Sequence, residues 1–475
     1  MKTSKLAQFH DNFLKGKEIG GEILSYEVQI LMPADAISAH SLINPSGENA
    51  VGFKWPSEPM IRPPDGPASS EAFQATLKLQ WGFVPGIGSV QPDLAGSRKA
   101  NMHIPDGYLS PSTCAVLYAA SAPFWYIALQ RVKKILTTRL VPLLSVMAAL
   151  SFVIMMFNLP LPGGTTGHAV GVAIATIVLG PWASILAISI ALAIQAVFFG
   201  DGGITTLGAN CFNMAIVASL VAYAVYYLVA GRTTLTSGRR VVAAGLAGYA
   251  AINASALCAA MEFGIQPLFF KDPSGAPLYA PYPLGIAVPA MMIGHLTFAG
   301  LAELVLSAGV VAYFQRTNPS LLELTAPRDL PAEEGMAVAD SQGVWRTVRP
   351  LAAGLALLLV LTPLGILAAG TAWGEWSTRD YSKLQAREQM ARASRNMPPP
   401  TQPPRGLERL STLWTAPFAQ YAPPFVRRPA VGYTLSAMFG SGAIILVSLI
   451  AGSLAARGWG KRRRSQEPGV RSQES

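Results

Sequence analysis

The stretch "HAVGVAIATIVLGPWASILAISIALAIQAVFF", residues 168–199, holds no Asp, Glu, Lys or Arg. A run of about 18 or more apolar residues is long enough to cross the hydrocarbon of a bilayer. Pro181 interrupts it, because proline lacks the N–H that continues a helix and crowds the preceding turn. The run is therefore predicted as two spans, 168–180 and 182–199, or as one kinked, re-entrant element. Working outward, further apolar runs fall at 112–130, 140–157, 208–230, 241–263, 285–314, 348–370 and 432–456. The pattern predicts an all-α polytopic membrane protein, with a core of about seven helices and two further transmembrane helices near the C-terminus.

Composition agrees. The 475 residues are 51% hydrophobic and 13% charged, against about 25% charged in soluble domains. Residues 1–110 read as ordinary polar sequence, so the shortage of charge begins after them. The net charge of +10 does not call for a nucleic-acid partner, because the basic residues cluster between spans. They lie in "RVKKILTTR" (131–139), "GRTTLTSGRR" (231–240), the 314–349 stretch and "RGWGKRRR" (457–464). Nine crossings put all four on one side, which the positive-inside rule makes cytoplasmic. The other side receives "MHIPDG" (102–107), "NLPLPGGTTGH" (158–168), "FGDGGITTLGAN" (199–210), residues 264–283 and a long loop, 371–431.

Several classes find no support. Met1 is not followed by a secretory signal. There is no G-x-x-x-x-G-K-[ST] loop to cradle ATP and no H-E-x-x-H zinc motif. Cys114, Cys211 and Cys258 form no C-x-x-C pair and read as apolar packing residues. Of the five histidines, His10 and His40 lie in the polar leader and carry no assigned role. His103, His168 and His295 lie in or beside the spans, where an ionisable side chain is a functional candidate. The plainer reading of each is a hydrogen-bonded packing residue. The sharper reading starts from Met102-His103. If Met102 were the first residue, its free α-amine, the next backbone nitrogen and the His103 imidazole would close two fused rings on one metal. Such a nearly planar nitrogen set suits Ni(II) or Cu(II). His168, on the same side, is the natural further donor.

Four segments carry a resemblance. "MHIPDGYLSP" (102–111), "PGGTTGHAVG" (162–171), "FGDGGITTLGANCFNMA" (199–215) and "GHLTFAGLAELVLS" (294–307) resemble the signatures of the CbiM/NikM family. These are substrate-binding membrane components (S-components) of energy-coupling-factor transporters for cobalt and nickel. "LTPLGILAAGTAWGEW" (361–376) and "GYTLSAMFGSGAIILVSLIAG" (432–452) resemble the small CbiN/NikN-type component, here fused at the C-terminus.

The resemblance implies an S-component-like core over 102–315, a cytoplasmic linker over 316–347 and a two-span module over 348–457. The module's outer loop would be 371–431, and a basic cytoplasmic tail would follow from 458 to 475. It implies metal donors at Met102 (amine), His103 (backbone nitrogen and side chain) and His168. Asn210 and Asn213 match positions near that site, where their amides either orient ligands or bond helix to helix. His295 and Glu303, eight residues apart on one helix face, read as a buried polar pair or as residues along the pathway.

The cargo would be Co(II) or Ni(II), with no other cofactor. The partners would be the lipid bilayer, a CbiQ/NikQ-like transmembrane coupling protein and a CbiO/NikO-like ATP-binding-cassette ATPase. The chain itself would be a non-enzymatic, multi-pass subunit of the cytoplasmic membrane, with its metal site on the outer face and its C-terminus inside. Family members begin at the Met of the first signature. Residues 1–101 are therefore expected to be removed, or translation is expected to start at Met102. The outer loop is expected to be an extended, partly ordered, Pro-rich tether, with Glu375, Asp380 and Glu388 read either as acids that attract cations or, the plainer reading, as solvated charge. Two other functions remain open on sequence grounds. One is a membrane metal sensor or scaffold. The other is an ion-gradient-driven carrier using Glu262 or Glu303.

Overall fold

The computed structural model describes residues 41–43, 49–51, 103–135, 140–325, 341–368 and 370–464. Met102, nearly all of 1–101, residues 326–340 of the linker and the tail beyond 464 lie outside the described residues. The chain divides into two units, 1–94 and 95–475. In the first, one antiparallel hairpin is described, β1 (Ser41–Ile43) with β2 (Asn49–Val51).

The second unit is helical. Its elements are α1 (Pro111–Ile135), α2 (Leu140–Met155), α3 (Val172–Leu179), α4 (Pro181–Phe199), α5 (Leu207–Ala230), α6 (Gly238–Phe269), α7 (Leu284–Thr317), α8 (Ser341–Leu361), α9 (Leu384–Ala393), α10 (Arg405–Leu410) and α11 (Pro429–Arg464). Among the described residues, seven helices are long and apolar enough to cross a membrane, and the apolar α2 is somewhat shorter. Three helices widen into π-helical turns, at Gln195–Phe199, Cys211–Val217 and His295–Ala299.

The predicted third span needs correction. Residues 168–171 are not helical, and α3 begins at Val172. Eight residues rise about 12 Å, well short of the ~30 Å hydrocarbon core. All eight are buried, so α3 is enclosed by protein. The chain leading into it is non-helical, which within a membrane bundle is tolerated only where protein covers it. A short hairpin leads in, with β3 (Leu159–Leu161) antiparallel to β4 (Thr165–Gly167). Gly180 turns α3 into α4 at φ 77°, and Pro181 takes the first turn, where its missing N–H costs nothing.

Contacts define the two ends of the bundle. At one end the Arg131 guanidinium lies 5.0 Å from the Trp182 ring centroid, and α3 packs against Pro319–Thr325. Gln315 at the end of α7 donates to the carbonyls of Leu235 and Ser237 at 2.7 and 2.9 Å. These are the segments with the basic clusters. The opposite end gathers the 103–110 segment, the β3–β4 hairpin, residues 200–206 and residues 270–283, where Ala280 N–H bonds the Tyr108 carbonyl at 2.9 Å.

The C-terminal helices join the same bundle. α11 packs along α2, and the Tyr433 hydroxyl donates to the Met156 carbonyl at 2.7 Å. The helices start and end beyond the apolar runs, since α8 begins at Ser341 and α11 continues to Arg464. The segment between them is folded, where an extended, partly ordered tether was expected. Trp373, Trp376, Tyr381 and Met390 share a buried cluster with Tyr108, Phe263 and Tyr282 of the core. Even the Pro-rich stretch is tied back, with the Arg387 guanidinium donating to the Pro400 carbonyl at 2.6 Å.

Close approach of α11 to α2 sets a test of this packing. A Cβ at Gly440 would overlap the Phe152 ring, whereas one at Gly442 meets nothing within 4 Å. Gly440→Leu should lower the thermal unfolding midpoint in detergent, in keeping with about 1–3 kcal/mol for overpacking. Gly442→Ala should leave it unchanged or slightly raised.

Candidate metal centre

His103 opens the described part of the second unit, and the loop after α4 holds it. Asn210 grips the next residue from both sides. Its Oδ1 accepts from Ile104 N–H at 3.1 Å, and its Nδ2 donates to the Ile104 carbonyl at 3.1 Å. Gly203 N–H bonds the same carbonyl at 2.9 Å. Gly203 is required there because a Cβ would run into the Asp106 carboxylate. That carboxylate accepts from Ile204 N–H at 3.1 Å and Thr205 N–H at 2.7 Å. The chain around His103 is thus sewn to residues 201–210 by backbone and side-chain bonds together.

The imidazole itself is 2% exposed. Its Nδ1 lies 3.0 Å from Asp201 Oδ1. Asp201 Oδ2 accepts from the Tyr421 hydroxyl at 2.6 Å, and Gln195 Nε2 donates to that hydroxyl at 3.1 Å. An ionised carboxylate only accepts, so Nδ1 carries the proton. Nε2 is buried with no hydrogen-bond partner.

His168 follows β4, at the entry to α3. Its Nδ1 lies 2.9 Å from the Ala169 carbonyl. A carbonyl only accepts, so here too Nδ1 carries a proton. The two ring centroids are 5.2 Å apart with planes inclined at 53°. An ion about 2.0–2.1 Å from an imidazole nitrogen can lie between rings at that separation. Asp201 completes the carboxylate–histidine arrangement that fixes tautomer and ring orientation in metal sites.

The other sequence-derived residues fall into place around this pair. Glu303 Oε2 accepts from Val170 N–H at 2.7 Å and Gly171 N–H at 3.1 Å. A carboxylate thus satisfies the free N–H groups at the start of α3 and fixes the backbone just after His168. His295 does not pair with Glu303. Its Nδ1 bonds the Met291 carbonyl at 2.9 Å, one turn back on its own helix. Asn213 donates to Glu262 Oε2 at 2.9 Å and links α5 to α6. Of the two asparagines, Asn210 therefore orients the His103 segment and Asn213 bonds helix to helix. His103, His168, His295, Asn213 and Glu375 all line one cavity of about 220 Å³.

Among the described residues, no three His, Cys, Asp or Glu side chains converge on one metal position. The donors brought together are the two imidazoles. Met102 lies outside the described residues. Chelation through the backbone nitrogen and imidazole of His103 closes its smaller ring through Nδ1, the atom that Asp201 holds here. That mode requires the ring to turn or Asp201 to let go.

Sequence reasoning missed two residues. Asp201 is the lone acid of a Gly-rich loop, which was the available signal. Tyr421 had none. Glu375 was singled out, but with solvated charge as the preferred reading; it is 9% exposed and its Oε2 is buried without a partner. Burial, with Asp201 adding repulsion, holds its carboxyl well above the usual range. Its neighbours Trp373 and Trp376 were the overlooked sign of burial. Asp380 caps an exposed turn through Ser377, and Glu388 is exposed, as expected of solvated charge.

Together these features define a polytopic membrane protein with a nitrogen-donor cavity at one end of its bundle. Residues 103–321 match the family described as the cobalt uptake substrate-specific transmembrane region, CbiM. Residues 348–457 match the PDGLE domain. The chain is 54% identical over 352 residues to the "Fused nickel transport protein NikMN" of Rhodobacter capsulatus, covering 74% of this chain and 97% of that one. It is 40% identical over 354 residues to the "Probable fused nickel transport protein LarMN" of Lactiplantibacillus plantarum, with coverages of 74% and 97%. It is 32% identical over 300 residues to the "Cobalt transport protein CbiM" of Geobacter sulfurreducens, with coverages of 62% and 79%. The chain belongs to the CbiM family of cobalt and nickel transport proteins, in the form fused to a CbiN-like PDGLE domain.

The two asparagines give a direct test of the geometry. Asn210→Leu removes both bonds to Ile104. Hydrogen–deuterium exchange of the peptide spanning 103–109 should speed up. Asn213→Leu should leave that peptide as protected as before.

Proposed function

We propose that this chain is the substrate-binding membrane subunit of an ATP-driven importer of Ni(II) or Co(II). The observation that carries the reading is the pair of buried imidazoles lining one cavity, each with Nδ1 held by an oxygen and with Nε2 of His103 buried without a partner. Nickel is the favoured cargo, because the two relatives matched over 97% of their length are named as fused nickel transport proteins. Nitrogen donors suit either ion.

In this reading His103 and His168 donate to the cation, Asp201 orients His103, and Glu303 holds the backbone behind His168. Met102 is the third donor through a free α-amine. That role requires Met102 to be the first residue of the working chain, which N-terminal sequencing of native protein tests directly. The basic clusters at the other end of the bundle support a cytoplasmic side there and, with it, an outer-face cavity. With no phosphate-binding loop of its own, the chain takes its driving force from a CbiQ/NikQ-like coupling protein and a CbiO/NikO-like ATPase. Their movement reshapes the core and releases metal inward. Glu262 and Glu303 are both committed to hydrogen bonds within the bundle, which speaks against a proton-coupled carrier.

His103→Ala and His168→Ala should each abolish saturable nickel and cobalt binding in titration calorimetry, with membrane insertion unchanged. Asp201→Asn should weaken binding by roughly 10–100-fold, the usual cost of losing an orienting partner. In cells, metal uptake should require the ATPase. Uptake that persists without it would favour a gradient-driven carrier, and binding without any uptake would favour a sensor or scaffold.

A further inference from the structure

The segment 370–376 of the fused module lies across the cavity as a strap. Thr166 N–H bonds the Thr371 carbonyl at 3.1 Å, and Thr166 pairs with Ala372 as a parallel bridge. This anchors the strap two residues before His168. At its other end the Tyr108 hydroxyl donates to the Trp376 carbonyl at 2.7 Å, which anchors it five residues after His103. The strap is therefore tied to both chain segments that carry the imidazoles. Its single acid, Glu375, lines their cavity, with Oε2 out of contact with solvent and with no hydrogen-bond donor.

A buried carboxylate without a partner is costly, and such groups are normally paired or bound to a cation. The strap supplies no basic partner from its own sequence. Asp201, the other acid near the imidazoles, spends both oxygens on His103 and Tyr421. A divalent cation held only by neutral imidazoles would bring two uncompensated charges into a low-dielectric cavity. Asp201 and Glu375 together balance them.

We propose that Glu375 of the C-terminal module is a cation-binding group of this cavity. It releases its proton as it gives a carboxylate oxygen to the incoming divalent ion, and stays beside the ion as a counter-charge once the imidazoles hold it. The proposal rests on the reading of His103 and His168 as the donors. Because His103, His168 and Glu375 do not converge on one position, Glu375 must move towards the ion as it arrives, and the strap moves with it.

The test uses the full chain in lipid nanodiscs, titrated with Ni(II). Tryptophan emission is the readout, since Trp373 and Trp376 flank the acid. Glu375→Gln keeps the shape of the side chain and removes its charge. It should slow association and weaken affinity about tenfold or more, in the range seen for groups supporting metal ligands. Glu388→Gln, an exposed acid of the same module, should change neither. Wild-type rate and affinity in Glu375→Gln, with binding lost in His103→Ala and His168→Ala, would overturn the proposal and leave the donor reading standing. An equal loss in Glu388→Gln would also overturn it, because net loop charge would then be the cause. Wild-type binding in both histidine variants would remove the donor reading itself, and the proposal with it.

Discussion

The bond between His103 Nδ1 and Asp201 Oδ1 is the contact on which the outer cavity depends. It fixes which nitrogen of His103 carries a hydrogen, and so which one faces the cavity empty. It also joins segments 98 residues apart in sequence. Asn210, Gly203 and Asp106 reinforce that join through the backbone on either side. Through the second oxygen of Asp201, the same link reaches Tyr421 of the fused module. The position of one imidazole is therefore set jointly by the first signature segment, the loop after α4 and the C-terminal domain.

A second constraint is the non-helical entry to α3. His168 can sit at the cavity because the chain there is not yet helical, and that chain is held by Glu303 and Ser151 from neighbouring helices. The three π-helical turns cluster in this region. One leads into the Asp201 loop, one contains Asn213 and one starts at His295. Such turns are frequent at functional sites. Here they coincide with helix segments that contribute cavity-lining or orienting side chains.

Much of this was legible in the sequence, because bilayer thickness and charge bias act on local composition. Runs such as 208–230 and 241–263 mark α5 and α6 to within a few residues. The residue pair His103 and His168 was singled out from chemistry and motif alone. What was not legible depended on contacts between distant segments. The 168–180 run is uniformly apolar, and hydropathy does not separate an eight-residue buried helix with a coiled entry from a full span. Glu375 and Tyr421 lie in a loop rich in Pro and Arg, whose composition reads as solvated. Their burial comes from the aromatic cluster that Trp373 and Trp376 make with Tyr108 and Phe263, which composition does not reveal.

The strap that closes the cavity is carried on the same polypeptide as the cavity. Were it a separate subunit, its return after each opening would be a second-order event, set by how much of that subunit the membrane holds. On one chain, with α11 packed along α2, closure is unimolecular. The strap meets the site at an effective concentration fixed by geometry, typically millimolar for a short connection. The return of the strap after any departure from the cavity then does not depend on expression level. Stoichiometry between cavity and strap is fixed at one to one in every molecule.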